Sequence, residues 1–284
     1  MDMVTLYNGK KMPVIGFEIC NNSDEEKAVQ SIVKAIEVGF RHLDSAAGFQ
    51  NEKIMSQGLK KSGFPREELF LTSNLMVDGH DYSNVRAKVE RLLEILGTDY
   101  LDLYLIHWPL DEGTGEDWDK ENLETWRVME ELYEEGKLKA IGVSNFSINH
   151  LENIVEHAKI KPMVNRLRIH PGVTQNDVRE YCKKYDIIVQ ACSPLNPLNV
   201  LRKENRIREM LEKYNKSLAQ VLLRFGIDLD VLPLTKSAHA YRIEENYDIF
   251  DFKLDEEDYN YLFHWQHVDF TESDNQNGQP PQSV

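Results

Sequence analysis

Arg166 and Arg168 stand two residues apart at the end of the apolar run Met163-Val-Asn-Arg-Leu167, and that spacing puts both on one face of a β-strand. An arginine fork grips a carboxylate or phosphate through two parallel hydrogen bonds, so the pair is a candidate anion site. The competing reading is a structural plug in which the arginines neutralise nearby carboxylates. His107 closes the run Leu103-Tyr-Leu-Ile106, just before Trp108 and Pro109; a lone histidine there serves the chemistry of a site or only packs. Trp108 and Tyr104 fit a core or pocket wall, and His42 and His170 read as structural neighbours of strands. Lys236 and Ser237 follow Val231-Leu-Pro-Leu-Thr235, where they would cap a helix or form an anion site at its N-terminus. Cys192 reads as a small filler, since no helix terminus or base is evident to depress its pKa. Cys20, Cys182 and Cys192 show no CxxC or metal-ligand spacing, so no metal is expected and a reduced, cytoplasmic protein is.

Eight short strand-like runs would position these residues: Pro13–Phe17, Phe40–Asp44, Leu69–Ser73, Leu101–Ile106, Lys139–Val143, Met163–Leu167, Ile187–Ala191 and Val231–Thr235. Between them lie segments with apolar residues at three- and four-residue steps, such as Val85–Leu96 and Leu151–Ala158. Ser23-Asp-Glu-Glu26 reads as a capping box, and Glu121–Glu135 as a solvated helix face. This alternation predicts an α/β fold of the (β/α)8 barrel type, because no GxGxxG follows the first strand to indicate a Rossmann sheet. The Asn8-Gly9 turn predicts an N-terminal hairpin, placed at the barrel bottom. Residues 1–270 are expected to form a single domain, and the Gln-, Asn-, Pro- and Ser-rich residues 271–284 a flexible tail. With 48 acidic and 33 basic residues the net charge is -15, which argues against nucleic acid or an anionic membrane as partner. A monomer binding an anionic small molecule is expected.

Five collinear motifs carry a resemblance to a known family. They are Asp44…Phe49-Gln-Asn51-Glu52, Leu103…His107-Trp-Pro109, Gly142-Val-Ser144-Asn145-Phe146, Ser193-Pro194-Leu195, and Lys236-Ser237 with Arg242 and Glu245-Asn246. Over roughly residues 4–265 the chain resembles the aldo-keto reductase superfamily, most closely its short-loop microbial branch that includes 2,5-diketogluconate reductases. The resemblance implies an NADP(H)-dependent carbonyl reductase in which a tyrosine donates a proton, a lysine lowers its pKa, an aspartate pairs with the lysine, and a histidine orients the carbonyl. The aspartate falls on Asp44 and the histidine on His107, but the tyrosine falls on Phe49 and the lysine on Asn74. At the nicotinamide end Ser144 and Asn145 match carboxamide contacts. Arg166 and Arg168 replace a glutamine and a glutamate, Cys192 replaces a stacking aromatic, and Glu18 replaces the second glycine of a Gly-x-Gly stretch. At the other end Ser193 and Leu195 match cofactor contacts; Lys236, Ser237 and Arg242 match the 2′-phosphate set, and Glu245 and Asn246 the adenine contacts.

These departures give three readings. The leading expectation is a dismantled redox site repurposed as a non-redox pocket for an anionic small molecule, with acid–base chemistry by His107, Asp44 or Glu18 and ligand contacts from Arg166, Arg168, Trp108 and Cys192. The alternatives are a residual NADPH-dependent aldehyde or ketone oxidoreductase, and a non-catalytic nucleotide-binding or scaffold pseudoenzyme. NADP(H) is expected to hold at the adenosine end and poorly at the nicotinamide end. Carbonyl reduction is expected near background. Phe49→Tyr alone is expected to help little, because without a lysine the phenol keeps a pKa near ~10; adding Asn74→Lys should help more. Asp44 or Glu18 is expected to contact Arg166 or Arg168 directly.

Overall fold

The computed structural model describes residues 2–19, 24–45, 49–76, 84–110 and 117–270. Phe49 opens a helix, but its side chain, like Cys20, Ser23 and residues 271–284, lies outside the described part. The chain begins with an antiparallel hairpin, β1 (Met3–Thr5) and β2 (Lys11–Pro13). Eight parallel strands then close into a barrel: β3 (Gly16–Glu18), β4 (His42–Asp44), β5 (Phe70–Leu75), β6 (Leu103–Ile106), β7 (Ile141–Ser144), β8 (Val164–Arg168), β9 (Ile188–Cys192) and β10 (Leu232–Thr235). They follow in chain order, and β10 pairs back onto β3 through Leu234–Gly16 and Thr235–Phe17. This is the expected (β/α)8 fold. The strands begin later and several end later than the apolar runs, because apolar runs mark burial, whereas the tilted ladder decides which residues pair.

The helices around the barrel are α1 (Glu25–Val38), α2 (Phe49–Ser62), α3 (Val85–Leu96), α4 (Trp118–Glu134), α5 (Ile148–His157), α6 (Asn176–Lys184), α7 (Leu198–Leu201), α8 (Asn205–Tyr214), α9 (Leu218–Asp228), α10 (Ala240–Tyr247) and α11 (Glu256–Phe263). Their buried faces supply the main core between helices and barrel, including Ile32, Val89, Leu92, Trp126, Met129, Ile154 and Phe225. Among the described residues no helix is long and apolar enough to cross a membrane.

Three local expectations are corrected. The cap of α1 is Asp24, whose carboxylate accepts from the Lys27 amide at 3.1 Å. The Asn8-Gly9 turn is part of a five-residue connection, with Thr5 opposite Lys11 across the hairpin and Gly9 at φ 86. The acidic run on α4 is not wholly solvated: Glu130 is buried and accepts from the Ile160 amide at 2.7 Å. The hairpin does cover the barrel bottom, where Leu6 and Met12 pack with Leu103, Leu105, Met163, Val164 and Leu232. Apolar residues therefore fill the amino-terminal end of the barrel and leave polar chemistry to the other.

Candidate active site

Polar side chains collect at the carboxyl ends of the strands, the face on which parallel barrels carry their sites. Asp44 ends β4 and is fully buried; Asn74, penultimate in β5, is also buried. Arg166 enters from β8 and crosses the barrel interior. Its Nη2 donates to Asp44 Oδ2, its Nη1 to Asn74 Oδ1 at 3.2 Å, and its Nε to Gln190 Oε1 at 2.7 Å. The expected contact between Asp44 and an arginine is thus present. An isolated buried carboxylate or guanidinium is costly, so each partner accounts for the other's tolerance. Gln190 was missed in the sequence, although the signal existed. It sits two residues before Cys192 on β9, opposite Arg166 in register, and therefore faces the same interior.

Glu18 goes elsewhere. Its carboxylate pairs with the Lys236 ammonium at 2.8 Å across the β3–β10 closure, where Lys236 is 60% and Glu18 17% exposed. Among the described residues the mouth therefore holds at least two ion pairs, one sealed and one open to water. Arg168, half-buried and in register with Cys192, stands nearer the rim on β8.

His107 follows β6, with its ring 6.2 Å from the Trp108 ring in an edge-on arrangement, and its backbone carbonyl accepts from Asn145 Nδ2 at 3.0 Å. Burial, reinforced by the Arg166 charge and opposed by Asp44, pushes the His107 imidazole down to about 4. It is neutral at neutral pH, able to donate one N–H bond and accept another. Two further histidines share this state: His42, hydrogen-bonded to Thr72 Oγ1 at 2.8 Å, and His170 are each held near about 4, chiefly by burial. Gly16 makes room for the His42 ring, since a Cβ there would come within 2.7 Å of Nδ1. Burial also raises the Cys192 thiol to about 11, so it is no thiolate at neutral pH.

The cofactor residues implied by resemblance divide between rim and helix. Asn145 adopts the left-handed conformation, φ 63, and spends its amide nitrogen on the His107 carbonyl and on Ser144 Oγ at 3.2 Å. Its Oδ1 has no partner among the described residues and can accept from an amide such as a carboxamide. Ser193, exposed and at φ 53, starts the turn that carries Leu195, which packs half-buried on the main core. Lys236 and Ser237 lead into α10, and Ser237 Oγ accepts from the His239 amide at 3.0 Å. Arg242 is exposed in the first turn of α10, so two cations flank a helix N-terminus, an arrangement that fits a phosphate. Glu245 is half-buried, whereas Asn246 is buried and donates to Thr235 Oγ1 at 2.7 Å, tying α10 to β10. The residues present fit a phosphorylated dinucleotide, with Asn246 committed to the fold.

The closed parallel barrel thus gathers a buried charge network, a neutral histidine and a cationic helix terminus at one mouth. Residues 14–264 match the Aldo/keto reductase family model, and the chain belongs to that family. It is 45% identical over 257 residues to a glyoxal reductase of Bacillus subtilis, covering 90% of each chain. It is 40% identical to a 9,11-endoperoxide prostaglandin H2 reductase of Trypanosoma cruzi, covering 90% of this chain and 88% of that one. A solved aldo-keto reductase of Bombyx mori in complex with NADP superposes with a TM-score of 0.84 at 30% identity, covering 97% of each chain.

These relatives overturn the leading expectation of a dismantled, repurposed non-redox pocket. Proteins similar along nearly their whole length are named reductases, so the comparisons point to oxidoreductase chemistry and support neither a repurposed site nor a pseudoenzyme. The expected weakness at the nicotinamide end is likewise without support.

Proposed function

We propose that the protein is an NADP(H)-dependent oxidoreductase that reduces small aldehydes and ketones, with reactive dicarbonyls of the glyoxal type as the first substrates to try. The observation that carries this reading is the near full-length similarity to a named glyoxal reductase, on a barrel whose mouth carries His107, Asp44, Ser144 and Asn145, to which the resemblance assigns site roles. When bound, the dinucleotide supplies a hydride to the carbonyl carbon.

The rest of the reaction falls to this chain's own side chains. Lys236, Ser237 and Arg242 hold the phosphate at the start of α10, and Asn145 Oδ1 accepts from the carboxamide. His107 donates its N–H to the carbonyl oxygen and orients it; at neutral pH it stays an imidazole, so it polarises rather than protonates. Phe49 has no proton to give, so the proton comes from water at the mouth. General acid catalysis is worth ~10²–10⁴-fold, and its loss slows a reductase without changing what it does. We therefore place turnover below that of a tyrosine-bearing relative and above the uncatalysed reaction.

The test is loss of nicotinamide absorbance with glyoxal, methylglyoxal and simple aldehydes, in wild type and in His107→Ala. Saturable turnover in wild type, lowered in the variant, supports the reading. Nicotinamide consumption no faster than in buffer, with no NADPH binding by fluorescence titration, overturns it.

A further inference from the structure

We propose that the buried Asp44–Arg166 pair is an oriented dipole with its guanidinium toward the barrel mouth, and that Arg166 is the positioning residue that stabilises negative charge arising on the substrate oxygen. This rests on the reductase reading above. In carbonyl reduction the hydride brings two electrons to the carbon, a C–H bond forms, and the C–O π pair moves onto oxygen. The dinucleotide is oxidised, the carbonyl is reduced, and the alkoxide then takes a proton from water, leaving hydroxide to the buffer. With no phenol at position 49, that alkoxide must be stabilised before the proton arrives. A fixed cation in a water-poor site does this without reorganising.

The geometry gives the dipole its direction. Asp44 is level with Thr72 in the β4–β5 ladder, whereas Asn74 lies two residues nearer the mouth. At strand rise that step is roughly 6–7 Å. The guanidinium bonds to both residues, so it bridges the step and sits on the mouth side of the carboxylate. Its third bond, to Gln190 Oε1, fixes the plane of the fork. Among the described residues three of its five N–H groups have partners, and two remain for a developing negative charge. The neighbouring histidines feel opposite ends of the pair. At His107, on the mouth side, the Arg166 charge outweighs that of Asp44. At His42, two residues deeper on β4, Asp44 outweighs Arg166. Asn74 also gains a reason: a lysine there would set a second cation against the guanidinium, whereas a carboxamide oxygen accepts from it.

The experiment compares wild type, Arg166→Gln, Arg166→Lys and the double variant Arg166→Gln with Asn74→Lys, which returns one cation from β5. Three readouts are taken: kcat with NADPH and glyoxal, NADPH affinity by fluorescence titration, and the His107 titration midpoint by NMR in the free protein. The expected result for Arg166→Gln is a kcat lowered by about 100-fold, the cost of removing one such stabilising donor. NADPH affinity should stay within about threefold, and the His107 midpoint should move upward. Arg166→Lys and the double variant should each recover at least about tenfold in kcat. An unchanged kcat in a folded Arg166→Gln protein, or an unmoved His107 midpoint, overturns the proposal. If Arg166→Gln does not fold, the double variant decides, since a purely structural cation would restore melting without restoring kcat. Wild type that binds no NADPH and reduces no carbonyl would defeat the reductase reading instead, and the His107 midpoint would still decide the direction of the dipole.

Discussion

Two ion pairs described at the barrel mouth are built from the same kinds of group and belong to different physical regimes. Arg166–Asp44 joins side chains that are 6% and 0% exposed, inside a hydrogen-bond cradle from β5 and β9. Lys236–Glu18 joins side chains that are 60% and 17% exposed at the seam where β10 closes on β3. In the first, desolvation makes each charge depend on the other, so the arrangement is fixed. In the second, water competes for both charges, so the pair can open at small cost and give the ammonium to another anion. On the proposed reading the pairs divide the labour: a rigid charge where electrons would move, and a yielding one where a phosphate would arrive and leave.

The sharpest way to break this comparison is to remove one charge from each pair. Arg166→Met removes the guanidinium that pairs with the buried Asp44 and should lower the free energy of unfolding by about 3–5 kcal/mol, the range for breaking a buried ion pair from one side. The double change Asp44→Leu with Arg166→Met should restore much of that loss, measured by urea denaturation. If the single variant is as stable as wild type, Asp44 is not held as the structure shows.

Next in size is Phe49→Tyr. It should raise kcat by at least about tenfold, toward the ~10²–10⁴ span of general acid catalysis, and leave NADPH affinity unchanged. This differs from what the sequence led us to expect, because the Arg166 guanidinium, held by Asp44 and Asn74, would stand in for the missing lysine. Adding Asn74→Lys should lower the gain, since the ammonium would face the guanidinium that Asn74 Oδ1 now accepts from at 3.2 Å. A stopped-flow single-turnover measurement separates the chemical step from product release.

Acid should act on the buried side before the exposed one. His42, His107 and His170 are neutral in the folded protein down to about 4, whereas in the unfolded chain each binds a proton near ~6.5. Between those values the unfolded state binds more protons, so stability is full above the unfolded value and falls as pH drops toward the folded one. The melting temperature should therefore decline from pH 6.5 to 4, and His42→Gln, which has no proton to gain, should flatten part of that slope.

Most of the barrel was legible because its strands are apolar runs at regular spacing and its chemistry sits in collinear motifs. Val85–Leu96 could be bounded from the sequence because its apolar period and the glycine after it coincide. Other features were hidden for physical reasons. Glu130 lies in an acidic run whose composition says solvent, and only tertiary packing brings the Ile160 amide to it. Gln190 is a neutral residue in an apolar strand, and its importance appears only when Arg166 is placed opposite it. The functional reading erred for a further reason. Substitutions at Phe49 and Asn74 were weighed as a change of chemistry, although losing a general acid alters a rate by orders of magnitude and leaves the reaction class intact. The contact of Asp44 with an arginine was foreseeable because it follows from the cost of leaving either charge alone.

The smallest expected effect concerns the open pair. Glu18→Gln removes a carboxylate that pairs with the largely exposed Lys236, so stability should change by no more than about 1 kcal/mol. Binding should respond more than folding does. On the proposed reading a phosphate approaching the start of α10 in wild type would compete with Glu18 for Lys236 and would also meet the repulsion of that carboxylate. Removing the charge should tighten NADPH by roughly threefold to tenfold, with kcat unchanged, because Glu18 is tied to the phosphate end and not to His107. The gain should shrink as salt rises, since the Debye length falls to ≈ 3 Å at 1 M and screens an exposed charge. Lys236→Met should weaken NADPH and abolish the benefit of Glu18→Gln in the double variant. If Glu18→Gln leaves affinity unchanged at low salt, the two pairs do not divide the work as their exposures indicate, and Glu18 serves only to close the seam between β3 and β10.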